Sequence, residues 1–221
     1  MPLYTADALV LRTYKLGEVD RIVVFLTRDR GKKRGVAKGA RRPRSPFVGA
    51  LEPLTEVKVA YFEKEHRDLV GLNYAETCRS PLGLSTEDAL DHVSYFAELL
   101  DEWAQEADAD ARLYRLGASM LDALFAGAPV EPLARYFEYW LLRLQGVYPD
   151  AQGSLSDGAM AFLAGSRAVP PQMVAKVPAS PSVLGELESL HRGLIAMHLE
   201  KTLKSDRVLR DLRAHPSKSW A

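Results

Sequence analysis

A change of hydrophobic period near Pro81 fixes what this chain can fold into. Over residues 3–78 the apolar residues come in short runs rich in β-branched side chains, broken by glycine, proline and charge, which is the pattern of strands. Beyond Pro81 they recur every three or four residues, as on helices packed along one face. Such a chain folds as α+β, with its sheet first and its helices after.

In the first half, residues 8–14 (ALVLRTY) and 21–27 (RIVVFLT) read as strands joined by turn chemistry at Gly17-Glu18-Val19-Asp20. After the Asp29-Arg30-Gly31 turn, residues 33–37 give a third strand and the alternation of residues 54–62 a fourth. A charged hairpin tip at residues 63–68 then leads to a fifth at 69–76. Five short strands with a longer connection after the third suggest an oligonucleotide/oligosaccharide-binding (OB) barrel over residues 1–79. The strand count alone also suits an SH3-like barrel.

In the second half, residues 80–221, Ser85-Thr86-Glu87-Asp88 has the form of a helix start. Leu90, Val93, Ala97, Leu100 and Ala104 follow at helical spacing and share one face. A second helix is predicted over residues 109–125, with Gly127 as its stop, and a third from Pro132 to Gly146. That third helix carries the strongest stripe in the chain: Leu133, Tyr136, Phe137, Trp140, Leu141 and Leu144. Residues 146–180 read as a loop with one small helix around 160–163. Ser180-Pro181 opens a long helix whose Val183, Leu184, Leu187, Leu190, Leu194, Ile195 and His198 share a face, and a short helix spans 208–212. The second half is therefore expected to be a helical bundle.

Charge supplies the first functional signal. The formal net charge is zero, yet residues 28–44 hold nine Lys or Arg and one acid. The remaining chain holds 20 basic and 28 acidic residues, so a local excess of eight positive charges faces an equal acidic excess elsewhere. Segregation of this kind makes a field, and nucleic acid is the commonest polyanion to use one. Lys32, Lys33, Arg34, Lys38, Arg41, Arg42 and Arg44 can neutralise phosphates along a strand, while Gly31, Gly35 and Gly39 let the backbone approach it closely. Base stacking would call on aromatics, and Tyr14, Phe25, Phe47, Tyr61, Phe62 and Tyr74 lie in this half. Taken alone, the run leaves open a solvated loop, an RNA or ribosomal ligand, and an acidic protein partner.

Other function classes lose support. Cys78 is the sole cysteine, so neither an intrachain disulfide nor a cysteine zinc site is available, and a reducing cytoplasm fits. The five histidines, His66, His92, His191, His198 and His215, form no metal motif. Phosphate-loop, His-Glu-x-x-His and Gly-x-Ser-x-Gly patterns are absent. No enzyme activity, metal or other cofactor is expected. The N-terminus lacks the form of an export signal, and no stretch approaches the ~18 apolar residues of a membrane span.

Particular residues add a family resemblance. Gly17-Glu18-Val19-Asp20-Arg21, Thr27, Gly31, Gly35-Val36-Ala37-Lys38-Gly39-Ala40-Arg41-Arg42, Ser45, Phe47 and Leu51-Glu52-Pro53 together resemble the N-terminal domain of the bacterial recombination mediator RecO. Arg135-Tyr136-Phe137-Glu138 with Leu141-Leu142 and Gly146 is similar to that family's central helix, and Leu203-Lys204-Ser205 to its C-terminal Leu-Lys-Ser. The resemblance implies an OB-fold followed by a helical domain, in a cytoplasmic, nucleoid-associated protein of the RecFOR pathway. It implies binding of single- and double-stranded DNA, ATP-independent annealing, and work with RecR to load RecA onto strands coated by single-stranded DNA-binding protein (SSB). One departure stands out: many members carry a four-cysteine zinc module just after the Gly146 position, where this chain has Val147-Tyr148-Pro149-Asp150-Ala151-Gln152-Gly153.

Within that reading, Arg34, Lys38, Arg41, Arg42 and Arg44 are expected to lead in DNA binding. The span 81–131, with eleven acids against two basic residues, is expected either to repel DNA toward the barrel or to be simply a solvated acidic helix surface. Arg135 and Lys204, each beside apolar residues, are the expected cations for docking the acidic, apolar-ended SSB tail; the alternative is that Arg135 pairs with Glu138 or Glu131 at helical spacing and Lys204 satisfies the last carbonyls of its helix.

Overall fold

The computed structural model describes residues 2–63, 68–149 and 155–214. The tip of the expected 63–68 hairpin with His66, residues 150–153 of the connection after Gly146, and His215 lie outside the described residues. Strands β1 (Leu3–Leu16), β2 (Asp20–Thr27), β3 (Gly31–Ala37), β4 (Glu56–Phe62) and β5 (Val70–Arg79) close a barrel in the order β1-β2-β3-β5-β4. The β3–β5 pair is parallel and every other pair is antiparallel. This is the OB-fold order, so topology resolves what strand count had left open. β1 is twice the predicted length because its first residues pair with β4 and its last with β2. A bulge between Val10 and Arg12 re-aims its side chains between those two roles.

β2 explains how barrel and helices fit together. Val23 and Phe25 point into the barrel with Ala8, Val10, Val59 and Tyr61. Val24 and Leu26, on the opposite face, join Leu9, Leu11 and Leu54 in the core of the helical half. The unbroken apolar run of residues 22–26 is thus a strand buried on both faces. Residues 38–55, between β3 and β4, form successive turns whose Phe47, Ala50 and Leu51 contribute to the barrel core.

The helical half comprises α1 (Glu87–Trp103), α2 (Ala111–Phe125), α3 (Val130–Leu144), α4 (Asp157–Ala168), α5 (Pro181–Leu199) and α6 (Lys204–Ala214). Phe96, Leu99 and Leu100 of α1, Met120 and Leu121 of α2, and Leu133 and Phe137 of α3 are buried in its core. The α2 start is fixed by the Asp110 carboxylate, which accepts from the Arg112 and Leu113 amides at 2.9 and 3.2 Å. Ser156 and Ser180 cap α4 and α5 in the same way.

Three helical expectations need correction. Leu90 is exposed rather than on the buried face of α1, because that helix is covered on other sides by barrel, α2 and α3. The small helix of the 146–180 stretch runs the full length of α4, started by its serine cap. On α5 only Leu187, His191 and Ile195 are buried, and the exposed His198 stacks on Trp103 with ring centroids 5.6 Å apart. None of the helices among the described residues is long and apolar enough to cross a membrane.

Candidate nucleic-acid interface

The barrel wall has two unlike outer faces. One carries Val24 and Leu26 against α1. The other carries a row set by strand register: Tyr14 opposite Ile22, Ile22 opposite Val36, Val36 opposite Gly71, Gly71 opposite Phe62, and Phe62 opposite Leu3. Directly opposed residues share a face, and this row belongs to neither buried core. Tyr14 is 43% exposed, and Ile22, Val36 and Phe62 are half-buried. Gly71 is required here: a β-carbon on it would lie 2.2 Å from Cζ of Phe62, whose ring covers the glycine. Of the six aromatics considered from sequence, Phe25, Phe47 and Tyr61 are barrel core, while Tyr14 and Tyr74 are exposed. Burial, then the nearby Glu63 carboxylate, pushes the Tyr61 hydroxyl up to about 12.

The cations sort by position on this frame. Arg34 is on β3 two residues from Val36, directly opposite Val24 where the row meets the helix-covered face, and is exposed. Lys38, Arg41, Arg42 and Arg44 follow in the turns after β3 and are all exposed. Those turns are pinned to the β1–β2 turn. The Gly39 amide donates to Oδ1 of Asp20 at 2.7 Å, the Arg41 amide to the Val19 carbonyl at 2.9 Å, and Nη1 of Arg41 to the Glu18 carbonyl at 2.7 Å. None of the five cations pairs with an acid among the described residues. A fixed cationic strip therefore borders an apolar row, the combination that receives phosphates beside unstacked bases.

Two lysines of the expected set are spent elsewhere. Nζ of Lys32 donates to the Asp101 carbonyl at 2.5 Å and lies 3.3 Å from its Oδ1, binding β3 to the end of α1. Nζ of Lys33 lies 2.8 Å from Oε1 of Glu63, and the residue stands opposite Phe25 on the barrel's inner side. Arg12 of β1 reinforces the Lys32 contact: Nε lies 3.1 Å from Asp101 and Nη2 3.4 Å from Glu102. Gly31, at φ +67°, carries hydrogen where a β-carbon would strike the Asp108 backbone at 2.4 Å, so the α1–α2 connection passes directly over the barrel there.

Arg135 is also displaced from its expected role. It is 3% exposed, with Nη2 2.9 Å from Glu138 and Nη1 3.5 Å from Glu188. Glu138 further accepts from the Tyr95 hydroxyl at 2.7 Å and meets Nδ1 of His191 at 3.0 Å. Burial alone would push the Glu138 carboxyl up, but the Arg135 guanidinium and the His191 and Tyr95 contacts outweigh it and hold it below the usual range. This closed cluster leaves Arg135 no access to a peptide. Lys204 is exposed at the start of α6, where its amide donates to Oε1 of Glu98 at 3.2 Å.

The residues do not fit a cysteine zinc module. The one thiol, Cys78, is on β5, and residues 147–149 after α3 carry none. Among the described residues no three His, Cys, Asp or Glu side chains gather as metal ligands.

Sequence comparisons agree with this architecture. The family model for the recombination protein O N-terminal domain matches residues 1–81, and that for the recombination protein O C-terminal domain matches residues 86–159. The chain is 39% identical over 152 residues to a DNA repair protein RecO from Koribacter versatilis (strain Ellin345), covering 67% of this chain and 61% of that protein. It thus spans about three fifths of that relative's length. A DNA repair protein RecO from Anaeromyxobacter sp. (strain Fw109-5) is 36% identical over 185 residues, 79% of this chain and 72% of the relative. One from Nocardioides sp. (strain ATCC BAA-499 / JS614) is 34% identical over 243 aligned positions, covering 92% and 97% of the two chains.

Proposed function

Because this chain belongs to the RecO family of DNA repair proteins, we propose that its barrel binds single- and double-stranded DNA and anneals complementary strands without ATP. The observation that carries this reading is the strip of five cations, Arg34, Lys38, Arg41, Arg42 and Arg44, that meet no acid among the described residues and stand beside the Tyr14-Ile22-Val36 row. The fixed cations of the strip replace the counterions condensed on the phosphates and release them to bulk solution, so two strands approach with less mutual repulsion. The row gives splayed bases an apolar surface to lie on, which duplex DNA, with its bases stacked, cannot use. Annealing then requires only binding and release, and no residue need act as acid, base or nucleophile.

The same reading makes RecR and SSB its partners in loading RecA onto coated strands. Lys204 stays the candidate for the acidic SSB tail: it lines a groove with Leu90, Val208 and Leu212, all exposed. Arg135, being buried, is withdrawn from that role.

The test is fluorescence anisotropy with a labelled oligonucleotide across a salt series. Five phosphate contacts on a single strand give a log–log salt slope of about −3.5. Arg41→Glu with Arg42→Glu should abolish binding and annealing at moderate salt while leaving the fold intact. Affinity equal to wild type in that variant would overturn the site.

A further inference from the structure

A second groove, of about 720 Å³, opens in the acidic helical half. Its floor is apolar: Leu124 at the end of α2 and Ala128 in the connection to α3, with Leu209 and Leu212 of α6. Leu212 is 42% exposed, whereas Leu124, Ala128 and Leu209 beside it on the floor are buried. Its rim holds Glu87, Asp88 and Asp91 of α1 and Glu131 of α3, and no Lys or Arg lines it among the described residues. Glu87 and Asp88 are exposed and form no ion pair with a described cation. A surface of this composition selects an occupant with cations around an apolar anchor, and it excludes DNA.

The chain itself carries a segment of that chemistry. Residues 38–48 present Lys38, Arg41, Arg42 and Arg44 followed by Val48, which is 67% exposed. None of these residues lines the groove of its own molecule. With a formal net charge of zero, two copies meet without overall repulsion. We propose that the groove receives the basic segment of a second copy of this chain, the Arg41 and Arg42 heads meeting Glu87 and Asp88 and Val48 reaching the leucine floor.

Two consequences follow from the geometry. The joined surfaces are different patches, so the contact is head-to-tail and leaves a free groove at one end and a free strip at the other. The assembly therefore grows as short open chains rather than closing as a two-fold dimer. The strip is also the surface assigned above to phosphates, and it cannot serve groove and DNA together. On that assignment, free protein is self-associated and DNA draws it apart into bound single copies.

The acids have a plainer duty as well. Glu87, Asp88 and Glu131 lie in the first turns of α1 and α3, where negative charge complements the helix dipole. Charge swapping separates this duty from docking. The groove variant is Glu87→Lys with Asp88→Lys, and the strip variant is Arg41→Glu with Arg42→Glu. Each places like charges on both of its own surfaces, whereas a mixture of the two restores opposite charges across every mixed contact.

The experiment is sedimentation velocity on the full chain at low salt, with circular dichroism to establish that each variant is folded. Wild type should sediment as a concentration-dependent series of species. It should collapse to one copy in high salt, where screening acts within about 3 Å at 1 M, and on addition of a single-stranded oligonucleotide. Each variant alone should remain single, and their equimolar mixture should associate again. The groove variant should bind the oligonucleotide at least as tightly as wild type does, since its strip is intact and no copy competes for it, so loss of association there is separable from loss of DNA binding. A wild type that stays single at low salt, a groove variant that associates unchanged, or a mixture that fails to associate would each overturn the proposal. Association that persists in oligonucleotide would overturn the competition between groove and DNA.

Discussion

Lys32 reaches from β3 to the last turn of α1 and donates to the Asp101 carbonyl at 2.5 Å, while Arg34, two residues along the same strand face, meets no acid among the described residues. The two cations look alike in sequence and do different work. One ties barrel to helices; the other is free for a ligand.

Exchanging each for alanine separates these roles. Lys32→Ala leaves the Asp101 carboxylate with Arg12 alone and should cost about 1–3 kcal/mol of stability. Its salt dependence of DNA binding should match wild type. Arg34→Ala should leave the melting temperature unchanged and lower the magnitude of the salt slope by about 0.7. Thermal melts and a salt series of anisotropy titrations check both.

Tyr14→Ala should weaken single-stranded DNA binding by about 1–2 kcal/mol, roughly 5- to 30-fold, with little change for duplex. The contrast arises because only unpaired bases can lie on the row. Parallel titrations of a single strand and of the duplex formed with its complement test it. Equal loss for both would assign Tyr14 to general packing.

Arg135→Ala should destabilise the helical half by about 3–5 kcal/mol, because it leaves the Glu138 carboxylate buried against too few partners. DNA affinity of the folded fraction should not change. Denaturant unfolding and anisotropy together make this measurement.

Glu138 also predicts a pH dependence. Its folded pKa is depressed below the ordinary 4.5, so its contribution is fully present above that value and is lost as pH falls through the lower, folded one. Wild type should lose thermal stability more steeply below about pH 4.5 than Glu138→Gln, which starts lower and cannot ionise there. Melting curves of the two proteins over a descending pH series would show the difference in slope.

Chelation should leave melting temperature and annealing unaltered, since the one cysteine stands apart on β5. Stoichiometric zinc found by elemental analysis of the purified protein would reverse that expectation.

Much of this architecture was legible in the residues. The period change near Pro81 set the class, and the continuous apolar run of β2 carried the information that both its faces are covered. The segregation of charge pointed to residues 28–44, without telling Lys32 and Lys33, which meet acids, from the cations that do not. What escaped was partnership across the fold. Nothing local tells that Asp101 waits for Lys32, or that Glu188 arrives from α5 to enclose Arg135. Ile22 and Val36 carry no local mark of the face they occupy, and only the register of three strands puts them beside Tyr14. Leu90 fitted the helical stripe, yet the direction from which the barrel meets α1 decides which stripe is covered.

The two-sided burial of β2 reaches beyond packing. Each of its alternate side chains answers to a different core, so neither core is complete while the other is open. Loosening the helices would uncover Val24 and Leu26 on the barrel wall, and loosening the barrel would take away the floor on which α1 rests. Heat or denaturant should therefore register one cooperative event, seen alike by probes in either half. A protease cutting between β5 and α1 would leave two pieces still held together.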